Sequence, residues 1–457
     1  MKKTISLVLA AVLMGTVALS GCQKSPAADP SSSTPVESKT SSASGEKPVV
    51  TFHHGYFQPS SEWPVAEEMR KIYQEFADMH SDEFTFKIEQ YDNGSQGVYD
   101  MAVQEIASGN FPDIVDVAGT SIVPAASKAG LALDLKPYLD ADEAFKKGVG
   151  VCYDQNQVDG KIYSVREQVE AVGLWYNAEL FEKAGAKTPE EWKTPDDFAE
   201  AVKKLKDCPD VATPVSLNQG WSSGLLLSMI LADSEAGREL LKETPATFEN
   251  NAFTGALDFL KSSALDQIGS DFLTGSEEEQ YVQDFKDGKS ALLFNGVWAA
   301  GSFGDAKAGI ENLKPATFVA DDGKRVGLLN GGDGFVINAN LDDAKKEICV
   351  EFVKYMTSPE IAARIVKSGA GMAPSLSLDY DKLMEDSTLD APAKKLVEAC
   401  SALQKCDYTP KHLYGWAGEV TGPLDGMYAG LKDGSTDSAA IVTQLNQVLA
   451  TLKESGN

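Results

Sequence analysis

Apolar and polar positions follow two different periods in the first part of the chain. Over residues 63–80 the apolar side chains recur at helical spacing, whereas Phe84, Phe86 and Ile88 alternate with polar residues as in a strand. The elements predicted here are a strand at 49–53, a helix at 63–80, a strand at 84–88, a helix at 97–108 and a strand at 113–117. This order predicts a parallel sheet with helices on both of its faces.

A similar pattern restarts after Gly160. It predicts strands at 161–165, 171–176, 212–217, 290–294 and 334–338, and helices at 196–206, 225–233, 342–356 and 359–367. The last hundred residues read as mainly helical. Because 457 residues are many for one hydrophobic core, we predict two lobes: 49–160 with 325–372, and 161–324 with 373–457.

The amino terminus has the pattern of a targeting segment. Lys2 and Lys3 precede an apolar run over 5–20, which is short for a membrane-spanning helix and typical of a secretory signal peptide. Small residues stand directly before Cys22, as in a bacterial lipobox. We therefore expect residues 1–21 to be removed and Cys22 to carry a lipid. Residues 22–48 would form a disordered tether that holds the body at the extracellular face of the cell membrane.

Composition narrows the classes of partner. The net charge is −27, so electrostatic binding to nucleic acid is not expected. Besides Cys22 the chain has Cys152, Cys208, Cys349, Cys400 and Cys406, without metal-type spacing, and we expect neither a metal nor a cofactor. Whether Cys400 and Cys406 form a disulfide stays open.

Several segments together resemble extracellular solute-binding protein family 1, the sugar-binding lipoproteins of ABC importers that include the maltodextrin-binding proteins. The segments that carry the resemblance are 101–117, 130–138, 159–165 followed by 173–177, 285–298, 331–338 and 352–359. Arg166 stands where this family often has proline. The resemblance implies an α/β, two-lobe, periplasmic-binding-protein-like (type II) Venus-flytrap fold joined by a hinge. It further implies a monomer that closes on a small solute, most simply a carbohydrate, and delivers it to permease and ATPase subunits.

Aromatic side chains are the first candidates for the site, since sugars present apolar C–H faces to flat rings. The resemblance places Trp298, Trp221 and Trp416 at the cleft, the first and last as stacking platforms. On spacing alone each tryptophan is more often a core residue.

Polar candidates come from the resemblance and from strand ends. Glu170 aligns with an acidic ligand contact of the maltodextrin-binding relatives, and Asp333 lies in a glycine-rich turn. The alternatives are a solvated carboxylate for Glu170 and simple turn geometry for Asp333. Parallel sheets bind ligands beyond the carboxyl ends of their strands, which adds two pairs to the candidates. These pairs are Gly119 with Thr120, and Tyr56 with Gln58.

Two other functions compete with solute capture. Gly220 to Gly224 form a G-x-S-x-G motif between a predicted strand and a predicted helix, the context of a hydrolase nucleophile, with Ser222 as nucleophile and His412 as base. A sensory or adhesive protein of the same fold is the third possibility. Since the motif accounts for few residues of the chain, we predict that the protein is not an enzyme.

Overall fold

The computed structural model describes residues 47–56, 64–91, 94–118, 122–269, 273–274, 278–369 and 371–454. The predicted signal peptide, Cys22, and all but the last two residues of the predicted tether lie outside this part of the chain, as do Gln58, Gly119 and Thr120. Within it, no helix has both the length and the apolar character needed to cross a bilayer. The five cysteines of the body are free thiols there, so Cys400 and Cys406 are not bridged.

The described residues contain a strand within or overlapping each of the eight predicted ones, and six further short strands that were not predicted. In chain order they are β1 (Val49–His54), β2 (Thr85–Gln90), β3 (Ile114–Asp116), β4 (Gln157–Val158), β5 (Lys161–Ile162), β6 (Glu170–Asn177), β7 (Thr213–Asn218), β8 (Leu273–Thr274), β9 (Ser290–Gly296), β10 (Leu313–Ala316), β11 (Phe318–Val319), β12 (Arg325–Val326), β13 (Leu328–Asn330) and β14 (Phe335–Ile337).

The helices are also given in chain order. Before β6 lie α1 (Pro64–Met79), α2 (Gly94–Ser108), α3 (Val123–Lys128), α4 (Lys136–Ala141), α5 (Glu143–Val149) and α6 (Val151–Gln155). Between β6 and β14 lie α7 (Ala178–Ala184), α8 (Pro195–Asp207), α9 (Trp221–Leu231), α10 (Glu235–Leu240), α11 (Asn251–Ser263) and α12 (Glu278–Lys286). After β14 lie α13 (Asp343–Met356), α14 (Pro359–Lys367), α15 (Tyr380–Met384), α16 (Ala391–Gln404), α17 (Gly418–Asp433) and α18 (Ser438–Glu454), so the prediction of a mainly helical end is confirmed.

The first sheet has the strand order β14-β3-β1-β2. β1 is parallel to β2 and to β3, which confirms the predicted βαβαβ arrangement, and β14 joins as an antiparallel edge strand. Its core is aromatic, because Phe52 on β1 packs edge-on against Tyr73 on α1, with ring centroids 4.8 Å apart, and lies 4.8 Å from Phe352 on α13. All three side chains are fully buried.

The second sheet has the order β10-β6-β9-β7-β8, with β13 also paired to β6. Its directions are mixed, since β6 is antiparallel to β9, β10 and β13 whereas β7 is parallel to β8 and β9. The apolar helix predicted at 225–233 is α9, which begins four residues earlier at Trp221. The G-x-S-x-G motif forms the first turn of this helix, and Trp221 is therefore its first residue.

Crossing segments connect the two sheets. Val165 forms a bridge with Phe335 of the first sheet, and Glu170, five residues later, pairs with Asn330 in the second. A further bridge joins Val169 to Met372. The chain therefore passes between the sheets at 165–170 and at 330–335, while the predicted lobe boundaries stay a prediction.

Glycines allow the two crossing segments to approach each other. A Cβ atom at Gly334 would lie 2.3 Å from Cβ of Arg166 and 2.5 Å from the carbonyl oxygen of Val165. At Gly331 it would lie 2.6 Å from Oδ1 of Asn156. These distances are shorter than any van der Waals contact, so a side chain at Gly334 would force the crossing segments apart and one at Gly331 would displace Asn156 at the end of α6.

We expect Gly334→Ala to lower the free energy of unfolding by about 1–3 kcal/mol, because the added methyl group overlaps backbone atoms that cannot move independently. Urea denaturation followed by circular dichroism measures this change. Gly255→Ala is the matched control, since its Cβ in α11 would meet nothing within 4 Å. It should stabilise the helix by about 0.5–1 kcal/mol. Equal effects of the two substitutions would contradict the steric explanation.

Candidate functional site

A cavity of about 2110 Å³ opens beside the crossing segments. Val123 and Ser164, which precede the crossing, and Trp221 and Tyr414, which follow it, all contribute to its lining. Glu170 at the start of β6 lies at the crossing itself. Pockets for drug-sized ligands measure about 300–1,000 Å³, so this cavity is large enough for a longer molecule.

Aromatic rings form one wall of the cavity. The ring of Trp221 stacks on that of Tyr414 at a centroid distance of 4.9 Å and an interplanar angle of 30°. Gly224 makes this stacking possible, since a Cβ atom there would lie 2.4 Å from the Tyr414 hydroxyl. That hydroxyl donates to Oδ1 of Asp425 at 2.9 Å, which fixes the ring. Both rings line the cavity and are half-buried, as a stacking platform requires.

The other two predicted tryptophans have different positions. Trp298 is half-buried and lies 6.3 Å from Trp221, centroid to centroid, and it is absent from the described residues that line the cavity. Trp416 is only 4% exposed; its ring packs against Phe248 and Phe253, and its indole N–H donates to the Leu240 carbonyl at 2.8 Å. Most of the Trp416 ring therefore lies in the core, although the residue still contributes to the lining of the cavity, and its role as a stacking platform stays a prediction.

Tyr414 is a ring of the cavity wall that the sequence interpretation did not name. It lies two residues before Trp416, in the segment that the resemblance singled out as aromatic. Leu413–Gly415 form a single 3₁₀ turn, in which side chains two residues apart point in different directions. Tyr414 and Trp416 therefore face different surroundings.

A network of hydrogen bonds holds Glu170 at the base of the cavity. Its Oε2 accepts a hydrogen bond from Nδ2 of Asn330 at 2.9 Å and lies 3.1 Å from Nε2 of His412, while Nη1 of Arg166 lies 3.6 Å from Oε1. Burial alone would raise the pKa of Glu170. The hydrogen bond and charge of His412, together with Arg166 and Asn330, instead lower this pKa to about 2. Glu170 is therefore a fixed, ionised hydrogen-bond acceptor.

The same network is joined to the aromatic wall. The fully buried ring of His412 meets the ring of Trp221 edge-on at 5.4 Å. The orientation of Trp221 is further set by its indole N–H, which donates to Oδ1 of Asn295 at 3.4 Å. Ring face and carboxylate are thus held in one fixed geometry.

Asp333 lines the cavity from the glycine-rich crossing segment, as predicted for this residue. Burial raises the pKa of its carboxyl group to about 6, against the charge of Arg166 and against hydrogen bonds from the Val123 backbone N–H and the Ser164 side chain. The group can therefore act as donor or acceptor near neutral pH.

Tyr56 is not among the described residues that line the cavity, and it lies in a buried polar cluster. It is 4% exposed, its hydroxyl donates to Oε1 of Glu167 at 3.3 Å, and Nε2 of Gln168 donates to the hydroxyl at 3.0 Å. Asp116 belongs to this cluster, and burial and the charge of Glu167 raise its pKa to about 7. The cluster includes Glu167 and Gln168 of the crossing segment, so its hydrogen bonds help to hold that segment in place.

The predicted hydrolase nucleophile has no suitable environment. Ser222 is fully buried, and its hydroxyl both accepts from the backbone N–H of Asn218 at 2.7 Å and lies 3.0 Å from Oδ1 of Asn218. His412, the proposed base, is engaged with Glu170. The G-x-S-x-G sequence is therefore a helix start in which the serine bonds to the preceding strand, and the hydrolase hypothesis loses its nucleophile.

Two sheets joined by crossing segments, with a polar and aromatic cavity beside them, define a two-lobe receptor of the type II binding-protein fold. Residues 63–363 match the family described as bacterial extracellular solute-binding protein, and the chain belongs to this family. The fold class and the family inferred from the sequence are thereby confirmed.

Three relatives give the degree of similarity. The chain is 23% identical over 326 residues to the multiple sugar-binding protein of Streptococcus mutans, covering 69% of this chain and 71% of that protein. It is 25% identical to the arabinooligosaccharide-binding protein of Bacillus subtilis, over 60% of this chain and 62% of that one. A solved Streptococcus pneumoniae solute-binding protein in complex with the blood group A-trisaccharide has a TM-score of 0.72 and 34% identity, over 88% of this chain and all of that chain.

Acidification should weaken the contribution of Glu170 to stability. Its pKa in the folded protein is about 2, below the ordinary value of 4.5. The contribution is therefore complete above about pH 4.5 and is lost as the pH falls towards 2. We expect Glu170→Gln to destabilise the protein near neutral pH and to differ less from the unmodified protein in acid, as measured by urea denaturation.

The control for this experiment is Glu249→Gln, which changes an exposed carboxylate outside the cavity. It should leave the free energy of unfolding nearly unchanged at both pH values. A constant loss of stability in Glu170→Gln from neutral pH down to pH 3 would refute the role of the ionised carboxylate.

Proposed function

We propose that this protein is the capture subunit of an ABC importer and binds an oligosaccharide in the cavity between its lobes. The observation that carries the proposal is the fixed pairing of an aromatic wall, Trp221 and Tyr414, with the ionised carboxylate of Glu170. Sugars need both partners at once, a flat ring under their C–H face and acceptors for their hydroxyl groups.

The charge of the cavity favours a neutral ligand. Acidic lining residues outnumber basic ones: the acids are Asp154, Asp159, Glu170, Glu239, Glu243, Asp333, Asp407 and Glu419, and the bases are Arg238, Lys242, Lys411 and Lys453. An anionic ligand would enter a site of its own charge sign, which disfavours binding. A neutral sugar avoids this repulsion and can donate hydroxyl hydrogens to the carboxylates.

The relatives support the same class of ligand. The names of the Streptococcus mutans and Bacillus subtilis relatives refer to sugars and to arabinooligosaccharides, and the similar solved structure contains the blood group A-trisaccharide. We take this trisaccharide as the first probe, because 34% identity over the whole of that chain makes it the best supported choice.

The proposal includes the cellular setting that the sequence predicts. Cys22 carries a lipid that holds the body at the extracellular face of the membrane, and the monomer delivers its ligand to permease and ATPase subunits. The half-buried aromatic wall argues against a purely sensory or adhesive role, which would not need to keep Trp221 and Tyr414 at a cavity.

Replacing either wall ring should weaken sugar binding. We expect Trp221→Ala and Tyr414→Ala each to lower the affinity for the trisaccharide by about 1–3 kcal/mol, because the sugar loses its apolar contact surface. Isothermal titration calorimetry measures the loss. Tyr99→Ala is the matched control, since Tyr99 is an exposed ring on α2 outside the cavity, and its affinity should be unchanged.

Ser222→Ala separates the capture hypothesis from the hydrolase hypothesis. Under the capture hypothesis, neither the unmodified protein nor Ser222→Ala turns over the trisaccharide. Turnover that is present in the unmodified protein and lost in Ser222→Ala would favour the hydrolase hypothesis.

Wild-type affinity in both wall variants, with folding intact, would reject the aromatic wall as the binding surface.

Binding should also make the molecule more compact. A ligand that touches both lobes binds the closed state better than the open one, so it shifts the population towards closure. Small-angle scattering at saturating trisaccharide should give a smaller radius of gyration than the free protein. Trp221→Ala at the same ligand concentration should show a smaller change, and an unchanged radius in the saturated wild-type protein would exclude closure.

A further inference from the structure

A carboxylate outside the cavity is bonded to one ring of the aromatic wall. Asp425 lies on α17, and its Oδ1 accepts the hydrogen bond of the Tyr414 hydroxyl at 2.9 Å. Its Oδ2 faces the start of α9, since it lies 3.5 Å from the position that a Cβ atom would have at Gly220. Asp425 is not among the described residues that line the cavity, so its effect on a ligand passes through Tyr414.

The Tyr414 hydroxyl lies between two helices. On one side is α9, where a Cβ atom at Gly224 would lie 2.4 Å from this hydroxyl, so the end of the ring packs directly on the helix backbone. On the other side is Asp425 of α17. This helix is also joined to the segment before α9, because Nε2 of Gln219 donates to the Gly426 carbonyl at 3.4 Å. The hydrogen bond to Asp425 therefore holds the ring in the position that forms the wall.

Asp425 changes its charge close to neutral pH. Burial raises the pKa of its carboxyl group to about 6, and the hydrogen bond from Tyr414 opposes this rise. The ionised carboxylate is the stronger acceptor, because hydrogen bonds to a charged group are roughly twice as strong as those between neutral groups. Protonation of Asp425 therefore weakens the bond that holds the Tyr414 ring.

Asp425 is the acidic group of a cluster that otherwise consists of tyrosines. Among the described residues, no charged side chain contributes to the shift in its pKa. Its titratable neighbours are Tyr414 and Tyr428, and burial raises the pKa of both hydroxyls above the ordinary value of 10. The first turn of α9 has no titratable side chain, and α18, which also packs on α17, has its charged residues Lys453 and Glu454 in its last turn. The change of charge near pH 6 in this cluster therefore belongs to Asp425.

We propose that Asp425 is a positioning residue of the binding site: its ionised carboxylate holds the Tyr414 ring against Trp221, and its protonation loosens the wall, so that acidification weakens ligand binding. This inference rests on the proposed function and deepens it, because it adds regulation by pH to the same site. The sign follows from linkage, since a ligand that needs the ordered wall binds the ionised form better and stabilises that form in the complex.

The test separates the hydrogen bond from the face of the ring. Tyr414→Phe keeps the ring and removes the donor, whereas Asp425→Asn keeps the size of the side chain and imitates its uncharged form. Tyr428→Phe is the matched control, since it removes another buried hydroxyl of the cluster, one without a hydrogen-bond partner among the described residues. Thermal unfolding at about pH 5 and about pH 7.5 checks that every variant stays folded.

Calorimetry with the blood group A-trisaccharide at these two pH values is the first measurement. In the wild-type protein we expect the affinity to fall by about threefold to tenfold between the higher and the lower pH. Asp333, which lines the cavity, also titrates near pH 6, so only the part of the fall that is lost in Tyr414→Phe and in Asp425→Asn belongs to Asp425. Both variants should bind about threefold to tenfold more weakly than the wild type at the higher pH. Tyr428→Phe should match the wild type at both.

Fluorescence of the ligand-free protein is the second measurement, and it needs no sugar. Loosening of the Tyr414 ring changes the surroundings of Trp221, on which that ring stacks. The part of the emission that disappears in Trp221→Phe should therefore change with pH, with a midpoint near pH 6. This change should be absent from Asp425→Asn and from Tyr414→Phe, and present in Tyr428→Phe.

The possible results distinguish this inference from the proposed function. If the trisaccharide binds but Asp425→Asn loses as much affinity in acid as the wild type, or if the fluorescence change persists in that variant, the inference is overturned while sugar capture stands. If the wild-type protein binds no trisaccharide at either pH, sugar capture fails for this probe and the predicted effect on affinity fails with it. The fluorescence change then decides alone whether Asp425 positions the ring.

Discussion

The buried pairing of Arg166 with Glu170 at the crossing between the two sheets is the interaction on which the site depends. A buried charge is stable only when it is paired and hydrogen-bonded. Glu170, whose side chain is 28% exposed, is hydrogen-bonded by Asn330 and contacts His412, and the charge of Arg166 lies 3.6 Å away. Asn330 ends β13, and His412 belongs to the segment that leads to Tyr414. One carboxylate therefore fixes the relative positions of three segments that are far apart in the chain. The glycines opposite Arg166 are required for the same reason, because only they leave room for its side chain and backbone.

The chemistry of the cavity follows from this pairing. His412 is held by Glu170 and meets Trp221 edge-on, so the carboxylate and the ring wall form one rigid unit. A rigid site loses little entropy when a ligand binds, and this matters for sugars because each hydroxyl contact alone is weak. The raised pKa of Asp333 and the lowered pKa of Glu170 show two carboxyl groups in one cavity with different protonation behaviour. Together they can accept and donate hydrogen bonds to hydroxyl groups of either orientation.

The sequence predicts much of the fold because local periodicity determines the helices. The bounds of α14 agree with the prediction, since Ser358 caps the helix and Pro359 is its first residue. The start of α9 was misplaced because Gly220 and Gly224 suggest a turn, and only tertiary packing against Tyr414 explains the second glycine. The mixed directions of the second sheet are also invisible to periodicity, which does not encode strand order. Glu170 and Trp221, which the resemblance named as ligand contacts, line the cavity, and their binding roles stay predictions. The positions of Tyr414 and Trp416 depend on which face of a short segment meets the core.

Arg166 is a buried cation within the segment that crosses between the two sheets. Its guanidinium is buried near Glu170, Glu167 and Asp116, and its backbone N–H, which proline lacks, contacts the buried sulfur of Cys152. The positive charge of Arg166 lowers the pKa of Glu170 and opposes the rise in the pKa of Asp116 that burial causes. The pKa values of these two carboxyl groups nevertheless differ. Glu170, which also has His412, keeps a pKa of about 2, whereas Asp116, opposed by Glu167, has a pKa of about 7. Arg166 thus helps to keep Glu170, the carboxylate that lines the cavity, ionised at neutral pH.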